Sequence, residues 1–402
     1  MKDKRDAEAA ARQLVRDGKF KEAKARLEAI KSAKDKDAKV NHNLAVLNFL
    51  ISGKQKHGQL EAELSQIITK CAEQSESMPK DLLDLILFHY NRAVALYQMA
   101  DFWRCCESAK EVFKICKNKE VVKRRPDIAV MGCFLLIEVL LLLNRVDDCD
   151  AVMQFLQDFP TQCFEEPAEQ GSPSPAVTHT FRIRQFAARI ALARRNFRTT
   201  KTELKAALNL KKTDIVSMFL KSSQEYLRGY YSRSTKLLTS CEKPEPTDGG
   251  QHLGVIFFNN MGVIHLRLER PSLAIAYLRQ AVDLNTKHCG RAKGTPAGTP
   301  HSVYDRNEEL LYNVALAHMQ IADYQLAFSL LDQLAPSFGH SPTYWLRMAE
   351  CCVGHYATQQ AESFGAPPHV YGLHNTGIHR RAVLKRAFRC ARWLACNVVR
   401  PS

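Results

Sequence analysis

Between Val255 and Asn285 the chain reads VIFFNNMGVIHLRLERPSLAIAYLRQAVDLN. Apolar, small or aromatic residues fall at Phe258, Met261, Gly262 and His265. After a break at Glu269-Arg270-Pro271 they resume at Ala274, Tyr277, Leu278, Ala281 and Leu284. Steps of three and four on both sides of the break predict two amphipathic helices joined by a tight turn. Gly262 and Ala274 are small at the points where two helix backbones must approach closely.

The same arrangement recurs along the chain. Pairs are predicted at Ala7 to Arg16 with Lys21 to Ile30, Val40 to Phe49 with Gly58 to Cys71, and Leu82 to Met99 with Phe102 to Lys117. They continue at Asp127 to Leu143 with Val146 to Phe159, Thr180 to Arg194 with Phe197 to Leu208, and Asp214 to Leu227 with Tyr231 to Leu238. Glu308 to Ile321 with Tyr324 to Leu334 follows the opening unit, and Pro342 to Cys352 starts a ninth. An aromatic or apolar residue follows each turn, at Phe20, Phe102, Val146, Phe197, Tyr231, Pro271 and Tyr324. Asn-x-Gly in a first helix, a small residue opening the second and alanine at position 281 form the tetratricopeptide pattern, whose period is near 34 residues. Such pairs cannot bury their apolar faces alone, so the expected fold is an all-α, tetratricopeptide-repeat superhelical solenoid of about eight or nine pairs. The solenoid is expected over 1–353, with loops at about 160–178, 241–254 and 286–306. A flexible loop at 354–377 and a basic C-terminal helix at 378–402, packed on the solenoid, should complete the chain. No run of alternating β-branched residues predicts a sheet.

Composition supports a globular reading, with 46% hydrophobic and 25% charged residues in 402. The longest apolar run, Val130 to Leu143, is interrupted by Glu138 and is too short to span a bilayer. The N-terminal MKDKRDAEAAARQLVRD has no apolar signal core, so a cytoplasmic chain is expected, with the nucleus as a second compartment. Thirteen cysteines are scattered through helical segments without a Cys-x-x-Cys motif, which favours reduced, buried thiols over disulfides or zinc.

Catalytic signatures are missing. There is no P-loop, dinucleotide fingerprint, zinc-protease or nucleophile-elbow motif. No enzyme activity, cofactor or metal is therefore expected. Gly290 to Gly298 is glycine-rich but lacks the Lys-Ser/Thr ending of a phosphate loop. His265 and His318 occupy equivalent first-helix positions where packing rings belong. Asn260 and Asn313 share a position that faces the groove in repeats of this kind, where an amide could hold a peptide backbone or carboxylate. The alternative is a bond to a neighbouring repeat.

The net charge of +15 permits a partner of negative potential. Arg381, Lys385, Arg389 and Arg392 recur at helical spacing beside an apolar stripe of Leu384, Phe388, Ala391 and Ala395. That predicts a cationic ridge able to make weak, salt-sensitive RNA contact, or simply a solvated face. Lys123-Arg124-Arg125, Arg194-Arg195 and Lys211-Lys212 add further clusters.

Four blocks carry a more particular resemblance: MFLKSSQEYLRGYYSRSTKLL (218–238), FFNNMGVIHLRLERPSLAIAYLRQAV (257–282), LLYNVALAHMQIADYQLAFSLL (310–331) and YWLRMAECC (344–352). With YNRAVALYQMADFWRCCESAKEVF (90–113) they resemble successive repeats of the subunit-ten family of the CCR4-NOT mRNA deadenylase complex. The resemblance implies a non-catalytic adaptor that pairs with subunit eleven and docks on the N-terminal region of the large scaffold subunit. Through that assembly it would meet the deadenylases indirectly and serve mRNA decay and translational repression, without a membrane partner. Read from the residues alone, a co-chaperone-like peptide receptor and a general RNA-binding scaffold remain open.

Overall fold

The computed structural model describes residues 10, 13–32, 38–53, 56–74, 79–159, 174–241, 252–289, 303–362, 370–374 and 381–384. They fall into two compact units, one of residues 1–242 with 300–305 and the other of 243–299 with 306–402. The first unit contains a helical stretch at 13–16 followed by α1 (Phe20–Ser32), then α2 (Ala38–Ile51) with α3 (His57–Gln74) and α4 (Pro79–Gln98) with α5 (Phe102–Ile115). After the short α6 (Lys119–Arg124) come α7 (Pro126–Leu142), a 3₁₀ turn at Val146–Asp148 and α8 (Cys149–Gln157). Two further pairs, α9 (Pro175–Ala193) with α10 (Phe197–Leu210) and α11 (Ile215–Leu227) with α12 (Tyr231–Thr239), end it. The second unit holds α13 (Leu253–Arg267) with α14 (Pro271–Cys289), α15 (Asn307–Gln320) with α16 (Tyr324–Gln333), the single turn α17 (Ala335–Phe338) and α18 (Pro342–Glu362). The architecture is the tetratricopeptide-type array of helical pairs that the periodicity predicts.

One backbone device turns every pair. Gly18, Gly53, Ala100, Asn144, Arg195, Gly229, Glu269 and Ala322 adopt the left-handed conformation, with φ from 55° to 83°. Each stands between the two helices of its pair, and all but Gly53 lie two residues before the second helical segment. At Ala100 the N–H donates to the Tyr97 carbonyl at 3.0 Å, and the next N–H, of Asp101, donates to Leu96 at 3.1 Å. The same two bonds recur at Gly18, Asn144, Arg195, Gly229, Glu269 and Ala322. They satisfy the last carbonyls of the first helix, which is why a residue other than glycine tolerates a conformation costing roughly 1–2 kcal/mol. Asp101, Asn196 and Asp323 then cap the second helix by accepting from the N–H of Arg104, Thr199 and Leu326.

Five residues beyond these turns the second helix carries a fully buried small side chain: Ala23, Cys105, Cys149, Thr200, Ser234, Ala274 or Ala327. Seven residues before them the first helix presents Ala93, Ala188, Ser222, Gly262 or Ala315, with Ile137 as the larger exception. The two sets meet where the helices cross. Cys105 Sγ donates to the Ala93 carbonyl at 3.1 Å. Ser222 and Ser234 hydroxyls lie 2.7 Å apart, each within 3.0 Å of the other's carbonyl. These short side chains let the axes approach and bring long residues such as Leu238, Leu278 and Leu331 into the interior. The cysteines at such positions are free and buried, as expected, and burial pushes the Cys105 thiol up to about 12 and the Cys149 thiol up to about 11. α7 is buried around most of its circumference, with nine side chains and Gly132 inside between Ile128 and Leu140.

Several boundaries differ from expectation. The loop placed over 160–178 ends earlier, because Ser174 accepts from the Val177 N–H and Pro175 occupies the first turn of α9. Likewise α14 continues through Cys289, into the loop expected from 286. α18 runs to Glu362 rather than breaking near Gly354, whose missing Cβ leaves room for the Tyr324 ring. The flexible loop expected at 354–377 is thereby corrected over 354–362 and again at Val370–His374, which is a β-strand, β1; its other residues lie outside the described ones. β1 pairs antiparallel with β2, Arg381–Leu384, so the C-terminal helix expected over 378–402 does not form at those four residues. Val370, Tyr371 and Val383 are of types that favour extended backbone. The expected absence of any sheet is corrected at the same point.

Candidate interaction surfaces

Polar side chains tie successive first helices of the first unit together. Asn91 of α4 lies 2.9 Å from Nε2 of His42 on α2, and His42 Nδ1 lies 3.2 Å from the Asn43 amide oxygen. Burial lowers the His42 pKa, against weaker opposing effects of Asn43 and Asp84, so the ring is neutral, donating from Nδ1 and accepting at Nε2. Arg189 of α9 forks onto Glu138 of α7, one arm at 2.8 Å. Desolvation opposes the Arg189 charge, but its bonds to Glu138 outweigh that and raise its pKa. Gln185 of α9 donates to Asp214 at 2.7 Å and to Ser217 at 3.0 Å, at the start of α11.

Glu61 on α3 gathers a second group. It accepts from Ser65 at 2.7 Å, from Arg92 of α4 at 3.1 Å and from Arg104 of α5 at 2.7 Å. Burial alone would raise the carboxyl pKa. The three donors more than offset it, so the net shift is downward and Glu61 stays ionised.

In the second unit Asn313 of α15 donates to the Asn259 amide oxygen of α13 at 2.9 Å, and Gln320 donates to the Leu266 carbonyl at 3.3 Å. The two asparagines singled out from the sequence are thus not equivalent partners. Asn313 forms a bond between repeats, through Asn259 rather than Asn260, and the half-buried Asn260 is not part of it. Asn259 escaped sequence reasoning because its partner is 54 residues away. His265, nearly buried, stacks on Tyr277 at 5.4 Å, while His318 lies 3.1 Å from Asp323. Both histidines do pack as expected.

Of the predicted cationic stripe, Arg381 belongs to β2, so helical spacing does not group it with the others. Lys385, Arg389 and Arg392 lie outside the described residues. The remaining clusters are partly neutralised: Arg125 pairs with Asp127, Arg194 with Asp147 and Asp150, and Lys211 with Asp214. Among the described residues no group of three or more His, Cys, Asp or Glu could hold a metal, and no helix is long and apolar enough to cross a membrane.

No family model matches the chain. It is 25% identical over 413 aligned positions to CCR4-NOT transcription complex subunit 10-B of Xenopus laevis, covering 93% of this chain and 54% of that protein. Subunit 10 of Danio rerio is 30% identical over 220 positions, covering 50% of this chain and 35% of the relative. The chain is a homologue of CCR4-NOT transcription complex subunit 10. It spans about half the length of the curated Xenopus relatives it matches. A tetratricopeptide repeat protein from Parabacteroides merdae superposes with a TM-score of 0.49 at 12% identity, over 78% of this chain and 98% of that one. The 25% relationship runs through both units, so the inter-repeat ties described above lie inside the region shared with subunit 10.

Proposed function

We propose that the chain is a non-catalytic adaptor of a CCR4-NOT complex, supporting mRNA deadenylation, mRNA decay and translational repression. The observation that carries this reading is the relationship to subunit 10 over 93% of the chain. The helical pairs support it: they place ion pairs and amide ladders between repeats, and in doing so rigidify a surface rather than assemble a reaction centre. Preformed helical arrays of this kind bind amphipathic segments of other proteins with little loss of conformational entropy. The large scaffold subunit, through its N-terminal region, and subunit eleven are the proposed direct partners, with the deadenylases reached through them. The proposed compartment is the cytoplasm, with the nucleus second. Mass spectrometry of proteins retained by a tagged full chain after nuclease treatment tests the proposal. Recovery of the scaffold, subunit eleven and the nucleases is expected; recovery of chaperones without any deadenylase subunit would overturn it in favour of a peptide receptor.

A further inference from the structure

Over half of the chain's excess charge lies in one stretch. Between Arg194 and Lys236 there are eleven Lys and Arg against three acids, a surplus of eight out of +15. All three acids are engaged: Glu203 by Arg184, Asp214 by Lys211 and Gln185, and Glu225 by Arg228. Arg195, Arg198, Lys201, Lys205, Arg233 and Lys236 are exposed, and among the described residues none forms an ion pair. Arg198, Lys201 and Lys205 stand at i, i+3 and i+7 along α10, one solvent-facing stripe.

Aromatic rings are interleaved with this charge. Tyr230, in the turn between α11 and α12, is 45% exposed, and the guanidinium carbons of Arg228 and Arg233 lie 4.9 and 5.0 Å from its ring centre. Tyr226 and Tyr231 adjoin, 5.4 Å apart. The two features share an edge. Gln224 of α11 donates to the Phe197 carbonyl, at the start of α10 beside Arg198, at 2.9 Å. One turn further along α11, the Arg228 N–H donates to Gln224.

We propose that this edge of α10, α11 and α12 is a binding surface for single-stranded RNA. Phosphates would follow the stripe of Arg198, Lys201 and Lys205, and a base would stack on the arginine-flanked ring of Tyr230. Charge alone would suit an acidic peptide equally. An exposed tyrosine bracketed by guanidinium groups favours nucleic acid, because every base offers a flat π-face and an acidic peptide offers none. The surface differs from the C-terminal arginines and does not depend on membership of any complex.

The test is fluorescence anisotropy with the purified full chain, using labelled 20-nucleotide oligo(U) and oligo(A) across a salt series, with poly-glutamate as a competitor. The triple variant R198A/K201A/K205A is expected to reduce the slope of log affinity against log salt by about two, at roughly 0.7 per phosphate contact on a single strand. Tyr230→Ala is expected to weaken binding about tenfold with the slope unchanged, the effect of one lost stacking contact. All these positions are exposed, and unchanged helical circular dichroism and thermal midpoint establish that each variant folds. Undetectable RNA binding by the unmodified chain overturns the proposal. So does binding that survives both variants but is lost on replacing Lys385, Arg389 and Arg392. Displacement by poly-glutamate as effective as by RNA, with Tyr230→Ala silent, would reassign the surface to an acidic protein.

Discussion

Replacing Gly262 by alanine adds one methyl group where α13 crosses α14. A Cβ at that position would stand 2.6 Å from Leu278 Cγ, 2.8 Å from its Cδ2 and 3.3 Å from the Ala274 carbonyl oxygen. Ordinary contact begins near 3.4 Å, and Leu278 is fully buried, so it has no open volume to swing into. Either the helix axes separate by most of an ångström, loosening the Val255, Ala281 and Leu310 cluster beside the crossing, or Leu278 leaves its rotamer well. Overpacking of this kind costs about 1–3 kcal/mol. Alanine returns about 1 kcal/mol through its better helix propensity, so from the middle of that range a net loss of about 1 kcal/mol remains. Urea unfolding of Gly262→Ala against the parent measures it, and a cycle with Leu278→Ala isolates the cause. Leu278→Ala alone should cost about 2–5 kcal/mol, but in that background Gly262→Ala should become neutral or stabilising, since the colliding atoms are gone. A neutral or stabilising Gly262→Ala in the parent, or a penalty that persists without Leu278, would refute the close-approach argument.

Relief of the turns should act in the opposite direction: Ala100→Gly and Ala322→Gly remove a left-handed non-glycine residue at an exposed site and should each stabilise by about 0.5–1 kcal/mol, whereas Gly229→Ala should destabilise by about 1 kcal/mol, all read by thermal unfolding. Truncating one arm of the Glu61 group tests the ties between pairs. Arg92→Ala should cost about 1–3 kcal/mol in urea, because Glu61 keeps only its other donors, and Glu61→Gln should recover part of the loss when added to that variant. Acid should weaken the fold before most carboxylates titrate. Burial lowers the pKa of His42, His89, His179 and His265, so the unfolded chain takes up protons near 6.5 that the folded chain resists. Stability is then fully present above about pH 7 and falls as the pH drops from there toward 5, at roughly 1.4 kcal/mol per unit of depression; a thermal midpoint that rises over this interval would contradict it.

Much of the architecture is written locally. Three-four spacing of apolar residues is the footprint of a helix lying on a neighbour, and the ring or apolar residue opening each second helix marks where the turn ends. Phe20, Phe102, Val146, Phe197, Tyr231, Pro271 and Tyr324 therefore locate seven turns without knowledge of any contact, and Gly262 with Ala274 locates a crossing. Gly18 and Gly229 declare the left-handed turn residue. Ala100, Asn144, Arg195, Glu269 and Ala322 do not, because two backbone hydrogen bonds impose that conformation on side chains with no preference for it. Pairing across distance is what the linear pattern leaves open. Asn313 selects Asn259 over its neighbour Asn260 because the rotation of α15 against α13 decides which amide lies within 2.9 Å. Arg381 looked helical because its successors repeat at three and four, yet Arg381–Leu384 is a strand because a complementary edge, Val370–His374, supplies its hydrogen bonds. Likewise, the stripe of Arg198, Lys201 and Lys205 and the arginine-flanked Tyr230 become neighbours only when Gln224 brings the end of α11 against the start of α10. Helices close their hydrogen bonds within their own segment, so sequence alone determined them; strands, amide ladders and charged surfaces need partners remote along the chain, and only the tertiary structure chose those.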